Sequence, residues 1–353
     1  MDTLKVSEDG IGTTRVLWID EAGRVNDKWD VYLLDAANEA TAWLTARSLD
    51  LCANQLNASV CQLGRETTTS ELTVGLCMST RDRLWQLQRA LPFNILQTWP
   101  HRNWCHIYVV DCGGTDDTLE WMKTNCRSAI DVGLLTIYQA SHKDFPYWHA
   151  SVGKNCAAKV AIEDILVNVD SDNIVGPDFV VDVVDRFSYG STQGFSMVLH
   201  YEGVDGTCGR IACTRKDFHK IRGYDEDAHP MGAQDIDLIY RLRALPGVWY
   251  ERVGNLPFSQ AIPNTPDEKV QACDQRNPLK WEQMDARSNA LFAWRRTRQP
   301  DARNHHKETI GVFVANANPQ DQPVPIASGA QFPQPQVSSE GCYNRPACLT
   351  TQA

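Results

Sequence analysis

The sequence lacks any long hydrophobic run: across its 353 residues no stretch approaches the roughly 20 apolar residues needed to span a bilayer. The N-terminus, MDTLKVSEDGIGTTR, has no apolar core of the signal-peptide kind and reads as no export signal. Basic charge is in short supply, with 34 Lys and Arg against 44 Asp and Glu, a formal net charge of -10. That balance argues against nucleic acid as the main partner, because phosphate backbones need a basic face. It leaves a nucleotide open, since a bound divalent cation supplies positive charge locally. Cysteine is plentiful, at 12 residues, but no C-x-x-C pair occurs, which suits neither a zinc site nor a disulfide framework. Cys77 and Cys156 sit in apolar runs and read as small core hydrophobes. The expectation is reduced thiols in a soluble, cytoplasmic protein, with Cys342 and Cys348 in the tail open to oxidation without effect on the fold. H-x-x-x-H spacing is absent too, so His101, His106, His142, His149, His200, His219, His229 and the His305-His306 pair read as non-ligands. There is no internal repeat.

What is present is ordinary globular chemistry, 42% apolar and 22% charged residues, in a chain long enough to bury a core. Three regions separate. Residues 1–70 hold strand-like runs at VLWID (16–20) and WDVYLLDA (29–36), then a helix-compatible stretch over 39–56; they read as an N-terminal extension without an assigned role. Residues 71–297 alternate strand-like and helix-like segments, the pattern of an α/β domain with a largely parallel sheet. Strands are expected at 72–79, 106–111, 132–139 and 165–170, with helices over 83–96 and 153–164 and Thr115 as a helix cap. Residues 298–353 are rich in Pro, Gln, Asn and Ser and read as mostly disordered, since they offer too little apolar surface to offset ordering entropy.

Three segments could carry chemistry. In ILVNVDSDN (165–173), residues two apart on a strand share a face, which would set Asp170 and Asp172 side by side. They lie at a strand's C-terminal end, where open α/β sheets place ligands. Adjacent carboxylates raise each other's pKa unless a cation intervenes, and a hard divalent ion with oxygen ligands satisfies both. The same Asp-Ser-Asp-Asn is equally good turn chemistry. In RGYDEDAHPMGAQDIDLIYRLRAL (222–245), Leu238, Leu242 and Leu245 predict a helix from about Gln234. Asp235 then stands in its first turn, either as a base at the edge of a site or as a charge complementing the helix N-terminus. YVVDCGGTDDT (108–118) is a strand followed by a glycine turn and carboxylates, a nucleotide-site pattern or simply a strand-to-helix turn.

In order, these segments resemble the family 2 glycosyltransferases and their galactosyltransferase-like relatives of the GT-A fold, over residues 71–297. TVGLCMSTRDR (73–83) looks like the opening strand, with Thr80 and Arg81 in the place that contacts the nucleotide base. YVVDCGGTDDT is similar to V-D-D-G-S-T-D-x-T, which puts Asp111 against the uracil. VGKNCAA (152–158) resembles A-R-N-x-A and implies Lys154 and Asn155 near the diphosphate or ribose. VDSD is similar to D-x-D, with Asp172 as direct metal ligand beside Asp170, and GYDEDAHPMGAQDIDLIYRL resembles G-[YF]-D-E … G-x-E-D-x-D-L-x-x-R-L, with Asp235 at the base position. Departures stand out. Cys112 replaces the usual second Asp, Gln234 replaces the Glu of the E-D pair, and NLPFSQAIPN (255–264) lacks the histidine many relatives use as a further ligand, which leaves water, Ser259 or Gln260. The processive Q-x-x-R-W motif is absent.

The resemblance implies a GT-A-type sheet and an inverting, non-processive hexosyl transfer. Mn²⁺ or Mg²⁺ on Asp170 and Asp172 would hold the diphosphate of a nucleotide-sugar, UDP first among donors. Asp235 would deprotonate a hydroxyl on a glycan, protein or small-molecule acceptor. Two other readings stand beside it. One is a sugar-1-phosphate nucleotidyltransferase, against which the single glycine of GLCMSTRDRLW speaks. The other is an inactive protein of the same fold that binds a sugar-nucleotide or carbohydrate.

Overall fold

Along the central strands nearly every position is buried, yet the residues still alternate between two cores. Leu76, Met78, Ile107 and Val109 belong to one buried cluster, while Cys77, Tyr108 and Val110 belong to the other. This is the period-two pattern of a strand covered on both faces. The computed structural model describes three strands within the first 33 residues, then residues 71–176, 178–202, 208–254, 260–276, 278–298, 304 and 307–319. The first three strands, β1 (Thr3–Glu8), β2 (Thr14–Ile19) and β3 (Val31–Leu33), form an antiparallel sheet. Strand signals at 16–20 and 29–36 are therefore met, and the helix expected over 39–56 lies outside the described residues.

The main sheet has eight strands. They are β4 (Val74–Thr80), β5 (Cys105–Asp111), β6 (Leu135–Ala140), β7 (Ile165–Asn168), β9 (Ser196–Tyr201), β10 (Ile211–Thr214), β11 (Val248–Val253) and β13 (Val314–Asn316). Their order is β11-β9-β10-β7-β4-β5-β6-β13. β4 runs parallel to β5 and β7, β5 to β6, and β9 to β11; β10 and β13 are the antiparallel members. Helices cover both faces. The first cluster packs under α1 (Leu84–Thr98), α2 (Thr118–Asn125), α3 (Arg127–Asp131) and α5 (Phe179–Gln193). The second lies under α4 (Ala150–Val160), α6 (Arg215–Lys220) and α7 (Gln234–Arg243). The fold class expected from sequence, a mostly parallel sheet flanked by helices, is the one observed. Among the described residues no helix is long and apolar enough to cross a membrane.

Three local expectations need correction. β7 ends at Asn168, so Asp170 and Asp172 sit in a turn, closed by the Asn173 amide on the Asp170 carbonyl at 2.8 Å. Thr115 does not cap α2, which starts at Thr118; its backbone N–H donates to Asp82 Oδ1 at 2.6 Å instead. And residues 304 and 307–319, within the segment read as mostly disordered, pack on the sheet and its loops. β13 pairs with the free edge of β6, Ile310 is buried, and Asn304 donates to the carbonyls of Arg222 and Tyr224 at 2.8 and 2.7 Å. An edge strand needs only backbone hydrogen bonds, so a polar composition does not forbid it.

Candidate functional site

A cavity of about 560 Å³ opens at the C-terminal ends of β4 and β7, the edge where α/β sheets bind ligands. It gathers Thr80 and Arg81 from the end of β4, Lys154 from α4, Asp170 and Asp172 from the turn after β7, and Asp235 from the first turn of α7. Six of the residues singled out in the sequence thus share one chamber. Asp111 and Asn155 stand behind its wall. Asp111 pairs in register with Thr80, and its carboxylate accepts from the Gly114 amide at 2.9 Å. Burial holds its carboxyl above the usual carboxylate range. Asn155 is fully buried, donating to the Tyr224 carbonyl and to Glu226 Oε1 at 2.9 and 2.7 Å. It secures the loop ahead of α7.

Lys154 is the electrostatic centre. Its Nζ lies 3.0 Å from Asp170 Oδ1 and 2.8 Å from Asp235 Oδ1. Burial alone would lower its pKa, but the two carboxylates outweigh that and hold the ammonium above the ordinary lysine value. Burial would likewise raise Asp170; Lys154 and the Asn168 amide reverse it and keep that carboxyl low. Gly209 lies against Asp170 so closely that a Cβ there would come within 2.2 Å of Oδ2. Asp235 keeps a raised pKa, chiefly from burial, with Asp170 adding to it against the pull of Lys154.

Asp172 differs from its neighbour. It has no ion pair among the described residues, and burial together with the Asp170 charge raises its pKa. Its orientation is fixed by amides: Asn173 Nδ2 donates to Oδ1 at 2.7 Å, and Asn264 Nδ2 donates to Oδ2. Asn264 is itself oriented by Arg83, whose NH1 donates to Asn264 Oδ1. A short antiparallel pair, β8 (Asn173–Ile174) with β12 (Gln260–Ala261), brings Asn264 here. Ser259 lies outside the described residues.

Among the described residues no group of three or more His, Cys, Asp and Glu is placed to hold a metal. Asp170 and Asp172 are half-buried; Lys154 and Arg210 offset the charge of Asp170, whereas Asp172 is drawn down by Arg83 without an ion pair among the described residues. This donor set fits a hard cation of the Mg²⁺ or Mn²⁺ type, which takes one or two carboxylates and completes its shell with water and phosphate oxygens. Thr80 Oγ1 and Gln234 Oε1, both on residues lining the cavity, are buried without a hydrogen-bond partner among the described residues, and such groups ordinarily find one.

No protein-family model matches the chain, and no curated protein does. Solved structures do match, at low similarity. Staphylococcus aureus TarS 1-349 in complex with UDP-GlcNAc is 13% identical over 52% of this chain and 59% of that one, with a TM-score of 0.41. The mannosyltransferase PcManGT from Pyrobaculum calidifontis, in complex with GDP-Man and Mn²⁺, is 14% identical over 70% and 81%, at 0.44. GalNAc-T7 with UDP, GalNAc and Mn²⁺ is 14% identical over 59% and 48%, at 0.42. The chain spans less than two thirds of the length of the TarS structures it matches.

Other parts of the site carry no signal in the sequence. Arg81, expected at the nucleotide, donates to the carbonyls of Cys112, Phe145 and Pro146 and so braces the loops beside the cavity. Cys112 is fully buried and serves packing. The far wall comes from α8 (Pro266–Val270) and α9 (Trp281–Arg298), through Lys269, Trp281, Asp285 and Asn289, facing Trp148 and the Met231–Ile236 segment that leads into α7.

Proposed function

We propose that this protein transfers a hexosyl group from a nucleoside diphosphate donor, UDP-linked, to an acceptor hydroxyl with inversion at the anomeric carbon. The observation that carries the reading is the convergence of Lys154, Asp170, Asp172 and Asp235, from three separate segments, on one cavity at the sheet's ligand-binding edge. The nucleoside is assigned to the end of β4, at Thr80 and beside the loops that Arg81 braces; the diphosphate is assigned to Asp170 and Asp172. Asp170 and Asp172 would hold a divalent cation, which would supply Lewis-acid stabilisation for the charge of the departing diphosphate.

The remaining chemistry belongs to the chain. Lys154 holds Asp235 by Oδ1, which leaves Oδ2 toward the acceptor, with only a 3.3 Å contact from Gln234 Nε2. The acceptor O–H gives its proton to Asp235 Oδ2 as its oxygen bonds to C1. The C1–O bond to the diphosphate breaks on the opposite face, its electron pair leaving with the phosphate oxygen. General-base help of this kind contributes about 10²–10⁴-fold.

One observation favours a second reading, a binding protein without turnover: Asp235 is already ion-paired, and its neighbour Gln234 is an amide. Calorimetry with UDP and Mn²⁺, followed by product detection from UDP-sugars over an acceptor panel with and without EDTA, separates the two. The transferase reading expects Mn²⁺-dependent UDP binding that Asp172→Ala abolishes, and EDTA-sensitive product. Binding that survives Asp172→Ala would move the metal site elsewhere. Binding without product would favour the second reading.

A further inference from the structure

Three residues one helical turn apart, Trp281, Asp285 and Asn289, line the cavity from a single face of α9, since positions i, i+4 and i+8 stack along a helix. Across from them stands Trp148, also partly exposed, held by its backbone N–H on the Ala272 carbonyl at 2.8 Å and by its indole N–H against Met231 Sδ at 3.0 Å. We propose that this face and Trp148 form the acceptor site and that the acceptor is a saccharide. The inference rests on the transferase reading above and names the substrate class of the same cavity.

The chemistry matches one kind of molecule. A pyranose has apolar C–H faces and a rim of hydroxyls that both donate and accept. Two indoles supply the amphipathic rings such faces stack on. Asp285 accepts only, while Asn289 both donates and accepts; the two are joined by Asn289 Nδ2 to Asp285 Oδ2 at 3.0 Å. A lipid would call for a dry groove, and this wall carries a carboxylate, an amide and the Lys269 ammonium, 5.3 Å from the Trp281 ring. An extended peptide would be expected on a free strand edge, and the wall is a helix face.

Placement relative to Asp235 argues the same way. The loop that ends in Asp235 is clamped to α9 at three points. Arg295 reaches Asp225 and Asp227, the Ser288 hydroxyl accepts from the His229 amide at 3.3 Å, and Gly232 abuts Asp285. At Gly232, with φ of +95°, a Cβ would come within 2.4 Å of Asp285 Cα, so only glycine lets the loop lie there. A hydroxyl positioned by α9 is thereby positioned with respect to the base, the preorganisation that transfer between two bound molecules needs.

The test uses the full chain. Saturation-transfer NMR and calorimetry are run with methyl β-glucopyranoside, cellobiose and N-acetyllactosamine, with a serine- and threonine-containing peptide, and with phosphatidylcholine vesicles, each with and without UDP and Mn²⁺. At least one saccharide should bind, and Trp281→Ala should weaken it roughly five- to tenfold, the scale of one lost aromatic stack. Asn289 is exposed, so N289A keeps the test decisive if the tryptophan variant fails to fold; a loss of about threefold or more is expected from it. Saccharide binding indifferent to both variants overturns the proposal, as does binding of only the peptide or the vesicles, or of none of these probes. Loss of UDP binding in the wild type strikes the transferase reading instead, and the variants' effect on saccharide binding is scored apart from it.

Discussion

Replacing Lys154 by methionine removes the ammonium that two half-buried carboxylates share while keeping most of the side-chain volume. Breaking a buried pair by deleting one partner costs about 3–5 kcal/mol. Here Asp170 keeps 32% of its side chain exposed and Asp235 14%. Water therefore screens part of the penalty, and roughly 2–3 kcal/mol is expected. For a domain of about 150–250 residues that corresponds to a fall of about 5–10 °C in Tm. The pH dependence is more diagnostic than the size. Without Lys154, both carboxyls should lie above their unfolded value near 3.9. The folded variant then binds more protons than the unfolded chain over that interval, so its stability falls as pH rises. The deficit against wild type should be small near pH 4 and largest by pH 8. Scanning calorimetry from pH 4 to 8 measures it, and adding Asp170→Asn to the variant should recover about 1 kcal/mol or more, since the two sites are in contact. A variant melting within about 2 °C of wild type at pH 8, or a deficit that grows toward acid, would refute the central role given to this lysine.

Asp235→Asn should lower turnover at least about 100-fold and leave UDP affinity within about threefold, since the amide cannot take the proton but keeps the shape; near-wild-type turnover in a steady-state assay removes Asp235 from the base role. His101, buried against Trp104 with ring centroids 4.8 Å apart, has its pKa lowered by burial from 6.5 to about 4. The unfolded chain therefore takes up the proton first, and the stability present above pH 6.5 is lost as pH falls toward 4, by an amount on the order of 3 kcal/mol. His101→Gln should flatten the Tm profile over that window, and an unchanged profile would assign the acid loss to other groups.

The parts legible in the sequence are those written by local periodicity. β4, β5 and β7 announce themselves because both faces are buried, and α7 because Leu238 and Leu242 meet the sheet while Asp235 turns toward the cavity. The carboxylate pair was legible as chemistry but not as geometry: the strand argument places Asp170 and Asp172 on one face, whereas a turn after Asn168 brings them together. Of the two sequence readings, the turn is the one observed. What stayed hidden is what depends on distant segments. Lys154 meets Asp235 across 81 positions, and Asn264 meets Asp172 across 92; no local pattern encodes such contacts. α9 is hidden for a different reason. Only Met284, Ser288 and Phe292 are buried along its 18 residues, so it reads as a polar surface helix. The same helix is then doubly constrained. Arg295 and Ser288 fasten it to the loop of Asp235, while Trp281, Asp285 and Asn289 face the chamber, and a change on either face should register in the chemistry on the other.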